Sequence, residues 1–328
     1  MQTTVLWLDG CFDGFHYAHA NAFRQARKLV DGPVHMMAAV HSDEEIMKHK
    51  GPPLFDEKER YAVVAGCRWV DEVIEGAPYI TQLHVLDKHH VDFLVHGDDA
   101  VVDATGSDIY APLKLRGKYK EFKRTEGIST TSLIQRVLDH PRWEHDSGHL
   151  DALLQEFLQC IPARFPVVDL SAGDNQGSPA MGTLRGKKVY VGGAWDSFGS
   201  GHVHYLRRAK ELISPDTAVI VGVWADKTVE EVTGEKPLLA QIERVLAVVQ
   251  CKYTDAVLYN VPASLPLSSY LSLGIDIAVN ENIKEEGPNI VQVEHIPVPP
   301  FQTPTSLRAR VEARLGAYKE RQRRKQHS

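Results

Sequence analysis

Long apolar runs are missing from this 328-residue chain. No stretch approaches the ~20 apolar residues a bilayer span requires. The N-terminal residues carry no basic segment followed by an apolar one, so neither a membrane anchor nor a secretory leader is expected. Cysteine is scarce: Cys11, Cys67, Cys160 and Cys251 are the four, with no CxxC spacing. They are expected as reduced, mostly buried thiols of an intracellular protein. Positive charge is not in excess, with 37 Lys and Arg against 43 Asp and Glu and a net charge of −6. That argues against a general nucleic-acid binder, which needs a broad basic face. No G-x-G-x-x-G follows the first apolar run, which disfavours a dinucleotide-dependent oxidoreductase. The remaining composition, 43% hydrophobic and 24% charged, is that of a globular protein, and the length accommodates two domains.

What the chain does have is a run from Gly10 to His19, Gly-Cys-Phe-Asp-Gly-Phe-His-Tyr-Ala-His. It follows the apolar Val5–Leu8 and precedes a helix-forming run, Ala20 to Leu29. An apolar strand, a glycine turn and a helix beginning near His19 form the α/β arrangement that presents backbone N–H groups and a helix N-terminus to a phosphate. His16 and His19, three apart at that helix mouth, can point into one pocket and donate to phosphate oxygens, more strongly when protonated. Asp9 at the strand end and Asp13 in the turn can hold a cation or pair with arginine; an Asx turn or helix cap is the alternative for each.

Further strands are expected at Val34–Val40, Val70–Ile74 and Phe93–Val95, separated by helices, which predicts a parallel sheet covered on both faces. Lys50 is expected on a rigid loop, His49-Lys50-Gly51-Pro52-Pro53, reaching over the pocket. Asp56 and Glu59 form a capping box. Arg60 on that helix either points to the pocket or salt-bridges a neighbour. Tyr79 ends a strand and loop where an aromatic could contact a ligand amine or simply pack half-buried. Asp98 closes the Phe93–Val95 strand at the ligand edge. Arg124, then Ser129, Thr130 and Thr131 before a helix over Leu133–Leu138, offer charge, hydroxyls and a helix dipole to an anion.

Together these pieces resemble the cytidylyltransferase family. The resemblance rests on His16-Tyr17-Ala18-His19, His49-Lys50-Gly51, Glu59-Arg60, Ala77-Pro78-Tyr79 and Arg124-Thr125-Glu126-Gly127-Ile128-Ser129-Thr130-Thr131, spanning nearly all of residues 1–140. Ala18 stands where the family carries glycine between its histidines.

Residues 141–186 break the alternation, with Pro162, Pro166, Pro179 and the polar run 171–178 marking a linker. Leu150 to Cys160 is expected as a helix packed on a domain. Then the opening returns: Val189 to His202 copies the opening stretch, His202 aligning with His19, Asp196 with Asp13 and Glu243-Arg244 with Glu59-Arg60. This is a duplicated domain. The expected organisation is two tandem Rossmann-like α/β domains, 1–140 and 187–328, each a parallel sheet with helices on both faces. The copy has lost chemistry. Gly199 replaces His16, Gly234 falls at the Lys50 position, Asn280-Glu281-Asn282 replaces His96-Gly97-Asp98, and Phe301–Leu307 has no arginine at the Arg124 position. Lys236 lies near the missing lysine, and Pro304 removes a backbone donor. One working site in the first half is expected, the second being structural or regulatory; a site shared by both is the alternative.

Tandem domains are a feature of the family's phosphoethanolamine branch, so the resemblance implies CTP and phosphoethanolamine as substrates. Phosphocholine, another small phosphoalcohol, or non-catalytic nucleotide sensing are the alternatives. It implies catalysis by His16, His19, Lys50 and Arg124. CTP would lie against Gly10, Phe12, Asp13, His16, His19, Lys50, Arg60, Asp98, Arg124, Ser129, Thr130 and Thr131, and phosphoethanolamine against Asp9, Lys50 and Tyr79. Mg²⁺ is expected with the triphosphate, its protein ligands unknown. Cytosolic residence is implied, with loose peripheral attachment at the endoplasmic reticulum; the basic run 319–325 is expected as a solvated helix end.

Overall fold

The computed structural model describes every residue except 1, 100, 102–106, 141–149, 162–164, 172–180, 213–215, 282–291, 298–299 and 327–328, and except the side chains of 321–326. Pro162, Pro179, most of the 171–178 run and Asn282 lie outside the described residues. The chain divides into two units: residues 1–135 with 308–328, and residues 136–307.

The first unit runs β1 (Thr4–Gly10), α1 (Tyr17–Arg27), β2 (Val34–His41), α2 (Asp43–Lys50), α3 (Glu57–Ala65), β3 (Glu72–Ala77), α4 (Leu83–Lys88), β4 (Phe93–Gly97), α5 (Ala111–Leu115), β5 (Tyr119–Phe122) and α6 (Thr130–Asp139), whose last residues fall in the second unit. Its five strands are all parallel in the order β3-β2-β1-β4-β5. The central strands are covered on both faces, which is why β1 and β2 read as continuous apolar runs instead of alternating ones. Leu6, Trp7 and Leu8 are at most 4% exposed, and each such side chain contributes about 1.5–3 kcal/mol on burial. Trp7, Ala39, Leu86, Leu94, Tyr110 and Leu113 form one core layer.

The second unit begins in α6 and continues through α7 (Leu150–Gln159), β6 (Val167–Asp169), β7 (Lys188–Gly193), α8 (Ser200–Glu211), β8 (Ala218–Trp224), α9 (Asp226–Thr233), α10 (Gln241–Val249), β9 (Ala256–Val261), α11 (Leu267–Ser272), β10 (Ile277–Val279), β11 (Gln292–Glu294) and the start of α12 (Pro304–Glu312). Its sheet is parallel in the order β11-β10-β7-β8-β9-β6. The end of α12 and α13 (Leu315–Gln326) belong to the first unit.

Three details differ from the sequence-based expectation. The segment expected as a linker supplies, besides the expected helix α7, the edge strand β6, which pairs with β9 from Val167↔Val257 to Asp169↔Tyr259. Its short apolar run satisfies an edge that would otherwise stay unpaired. Lys50 is not on a loop but ends helix α2: Ser42 caps that helix, acids fill its first turn, Lys48, His49 and Lys50 its last, and Gly51 closes it at φ 89°. The expected strand Val70–Ile74 begins later, at Glu72, because Val70 N–H folds back onto the Cys67 carbonyl at 3.2 Å.

Candidate active site

Strand order places a crevice above the carboxyl ends of β1 and β4, where chain connections leave in opposite directions and α/β sheets bind ligands. A cavity of about 580 Å³ opens there, with Asp9, Gly10, His96 and Gly97 at its base.

His16 is the N-cap of α1 and His19 its third residue, so both rings project from the first turn. The imidazoles stack, centroids 3.9 Å apart and planes 17° from parallel. His19 Nδ1 accepts the His16 backbone N–H at 3.4 Å, which leaves the proton of neutral His19 on Nε2. Burial first, then the charges of Arg124 and Lys50, pull the His19 pKa down to about 3. His19 is therefore a neutral donor near pH 7, without the additional strength a protonated ring would bring. Ala18 lines the cleft as the second residue of α1. Its backbone is outside the left-handed region, so alanine in place of the family's glycine costs no backbone strain. Phe12, in contrast, does sit there, at φ 49°, a local strain the turn around it must hold.

Lys50 Nζ lies 3.7 Å from Cys11 Sγ and 5.5 Å from the centre of the Tyr79 ring. Tyr79 is stacked on His49, centroids 4.2 Å apart. Arg124 stands at the mouth, 61% exposed, its guanidinium on Asp99 at 2.7 Å and its N–H on Asp98 at 2.9 Å. Thr131 lines the cleft at the start of α6. Thr130 also lines it, with its hydroxyl donating to the Asp13 carbonyl at 2.8 Å. Ser129 and Ser132 cap each other's N–H groups at 2.7 and 3.1 Å. At the opposite end Asp9, 7% exposed, accepts the Thr81 hydroxyl at 2.5 Å and the Tyr110 hydroxyl at 3.5 Å. Burial and the Asp9 charge raise the Tyr110 pKa far above its usual value, so that hydroxyl stays protonated.

Gly10, Phe12, Asp9, His16, His19, Lys50, Tyr79, Arg124, Ser129, Thr130 and Thr131 thus share one cleft. Three expected site residues are not in its wall. Asp13 is buried beneath it, its two carboxylate oxygens accepting Leu54 N–H at 2.8 Å and Phe55 N–H at 2.9 Å. Arg60, 1% exposed, donates to the carbonyls of Cys11 and Phe55 and pairs with Asp43 at 2.8 Å. Asp98 anchors the Arg124 backbone instead of facing the cleft. Sequence reasoning placed His96 at the ligand edge without a role and missed Thr81, Tyr110 and His41. Only the position of His41 at the end of β2 could have signalled it; Thr81 and Tyr110 come from connections with no motif.

The duplication separates structural residues from cleft residues. Asp196 accepts Leu238 and Leu239 N–H at 2.7 and 3.0 Å, as Asp13 does. Arg244 reaches the carbonyls of Ala194 and Leu239 and pairs with Asp226, as Arg60 does. Thr303 and Ser306 exchange caps like Ser129 and Ser132. These are devices of the fold and persist in both units. The second unit's cavity, about 630 Å³, has Gly199 in place of the first histidine and Phe301 stacked on His202, centroids 4.2 Å apart. Lys236 is among the residues that line it, and no arginine is.

The Cytidylyltransferase-like family profile matches residues 7–136 and 190–321. The chain is 36% identical over 79% of its length to the ethanolamine-phosphate cytidylyltransferase of Mus musculus, covering 71% of that protein. It is 39% identical over 84% of its length to the enzyme of that name from Dictyostelium discoideum, covering 78%. Choline-phosphate cytidylyltransferase 2 of Arabidopsis thaliana is 41% identical, but over only 40% of this chain and 44% of its own length. With both halves matched, the chain belongs to the cytidylyltransferase-like family, in tandem duplicate.

Proposed function

We infer that the first unit transfers the cytidylyl group of CTP to phosphoethanolamine, giving CDP-ethanolamine and pyrophosphate. The observation that carries this reading is a single cleft with phosphate donors at one end, His16, His19, Lys50 and Arg124, and the buried acceptor Asp9 at the other. The substrate's phosphate oxygen attacks the α-phosphorus in line, the bond to the bridging oxygen breaks and pyrophosphate leaves. Such a reaction is driven by positioning and by stabilising charge on the phosphoryl oxygens. Neutral His19 and its stacked neighbour His16 donate to the α- and β-phosphate oxygens as charge moves onto pyrophosphate. Lys50, held at the end of α2, stands between the attacking phosphate and the α-phosphate. Arg124, Thr131 and the N–H groups opening α6 hold the β- and γ-phosphates.

Mg²⁺ arrives as part of Mg–CTP, held by the phosphates. Among the described residues no group of three His, Cys, Asp or Glu is placed to hold a metal ion. Asp13, one of the residues that could have held a cation, has both oxygens accepting backbone amides.

At the other end, Asp9 accepts the ammonium of the substrate while Thr81 and Tyr110 fix the carboxylate's direction. A primary ammonium suits such an acceptor. The two cleft tyrosines, Tyr79 and Tyr110, favour a quaternary ammonium and are the ground for phosphocholine as a second reading. Pyrophosphate release from Mg–CTP, with phosphoethanolamine and phosphocholine offered separately, decides. Turnover with phosphoethanolamine alone is expected. Preference for phosphocholine would replace this reading with the second, and no turnover with either would remove both.

A further inference from the structure

The second unit's cavity lost the first histidine but not its carboxylate. Strand pairing makes the two units comparable residue by residue. Trp7 pairs with Leu94 in the first sheet as Tyr190 pairs with Ala278 in the second. Two residues beyond each lie Asp9 and Gly192, and three residues beyond the partner strand's position lie Gly97 and Glu281. The acid and the glycine have exchanged strands. A Cβ built on Gly192 would meet Glu281 Oε1 at 2.7 Å, so the glutamate brings its carboxylate to the place where the aspartate of the first unit projects.

The surroundings of that carboxylate are also rebuilt. In the first unit, hydroxyls of Thr81 and Tyr110 face Asp9. In the second, the Tyr190 hydroxyl lies 3.0 Å from the same Cβ point, and the Tyr270 hydroxyl favours the ionised glutamate. Gly222 leaves the room for Tyr190, since a Cβ there would lie 2.1 Å from its hydroxyl oxygen. Burial pushes Glu281 up to about 6, so it is charged at neutral pH. Lys236 lines the same cavity. His202, in the same cavity, is held at about 3 by burial and stays neutral. Trp195, Tyr205, Trp224 and Phe301 line the same cavity, and among the described residues the buried Trp224 indole N–H has no acceptor.

A half-buried carboxylate in an aromatic-lined cavity is the chemistry that recognises an ammonium ion. We propose that the second unit binds a small organic ammonium ion, primary or quaternary, through Glu281 and the rings of Trp195, Trp224 and Phe301, without turning it over. The site is independent of which amine the first unit uses.

Equilibrium dialysis of labelled ethanolamine and labelled choline tests this on the full chain. Asp9→Asn serves as the parent, to silence the first unit's acceptor. The parent is expected to bind one equivalent of one of the two amines at millimolar concentration, and which one it binds separates primary from quaternary recognition. Adding Glu281→Gln should weaken that binding at least about tenfold, because a charge-assisted contact is lost. Moving the acid back, as Gly192→Asp with Glu281→Gly in the same parent, should restore it. Thermal midpoints of all variants identify any that fails to fold. Equal binding by the parent and its Glu281→Gln derivative, or no amine bound by a folded parent, would overturn the proposal.

Discussion

Arg310 and Glu59, 251 residues apart, form a two-pronged ion pair in the first unit at 2.7 and 2.9 Å. Four residues on, Arg314 donates to the carbonyls of Pro53 and Leu54. The amides that follow, Leu54 and Phe55, hold Asp13, and the Asp13 carbonyl holds Thr130. The C-terminal helices therefore fasten the loop beneath the cleft. Arg310→Ala should destabilise the first unit by about 1–3 kcal/mol, since it strands a half-buried carboxylate, and should raise the KM for CTP. Urea unfolding and initial rates check both; an unchanged unfolding midpoint would contradict the role.

His19→Ala should lower kcat about 10²- to 10³-fold, the usual effect of removing one transition-state donor. His202→Ala should leave turnover of phosphoethanolamine at the parent level, because among the described residues its cavity holds no arginine or second histidine. Equal losses in steady-state assays would mean that the second unit takes part in the chemistry.

Acid should destabilise the protein through imidazoles that the fold keeps neutral. His19 and His202 are held near 3, mainly by burial, against about 6.5 when unfolded. Between those values the unfolded chain binds protons that the folded one does not. Their neutral burial is fully tolerated above about pH 6.5, and stability falls as pH drops from there toward 3. Denaturation at pH 7 and pH 5 should show a smaller decline for His202→Gln than for the parent, whereas an identical decline would refute the assignment.

Asp13→Ala should act on stability and not on metal dependence. It leaves the Leu54 and Phe55 amides without their acceptor, at about 1–3 kcal/mol each, and Asp196→Ala should do the same through Leu238 and Leu239. The Mg²⁺ concentration giving half-maximal rate should be unaltered in the residual activity of Asp13→Ala. A large shift in that value would restore Asp13 as a metal ligand.

Asp9→Asn should raise the KM for phosphoethanolamine by about tenfold or more through loss of a charge-assisted contact, with the KM for CTP little changed. A uniform loss in both would point to a structural role beneath the cleft.

Much of this protein was legible before its structure. The strand, turn and helix around His16 and His19, the cleft residues Arg124 and Ser129 to Thr131, and the duplication at Val189–His202 are local patterns. They are legible because backbone geometry and hydrogen-bonding capacity act between residues close in the chain. The parallel sheets followed from the same alternation of apolar runs and helices.

What each polar group does was another matter. Asp13 and Arg60 have the residue types of a phosphate or metal site, and only the fold shows that amides and carbonyls 41 to 49 residues away take up their bonding capacity. The pairing of Thr81 and Tyr110 with Asp9 and the attachment of residues 308–328 to the first unit needed the tertiary structure as well. So did the return of a carboxylate to the second cavity by way of Glu281. A sequence determines which bonds a side chain can make; which of them it does make depends on partners that packing brings together from distant parts of the chain.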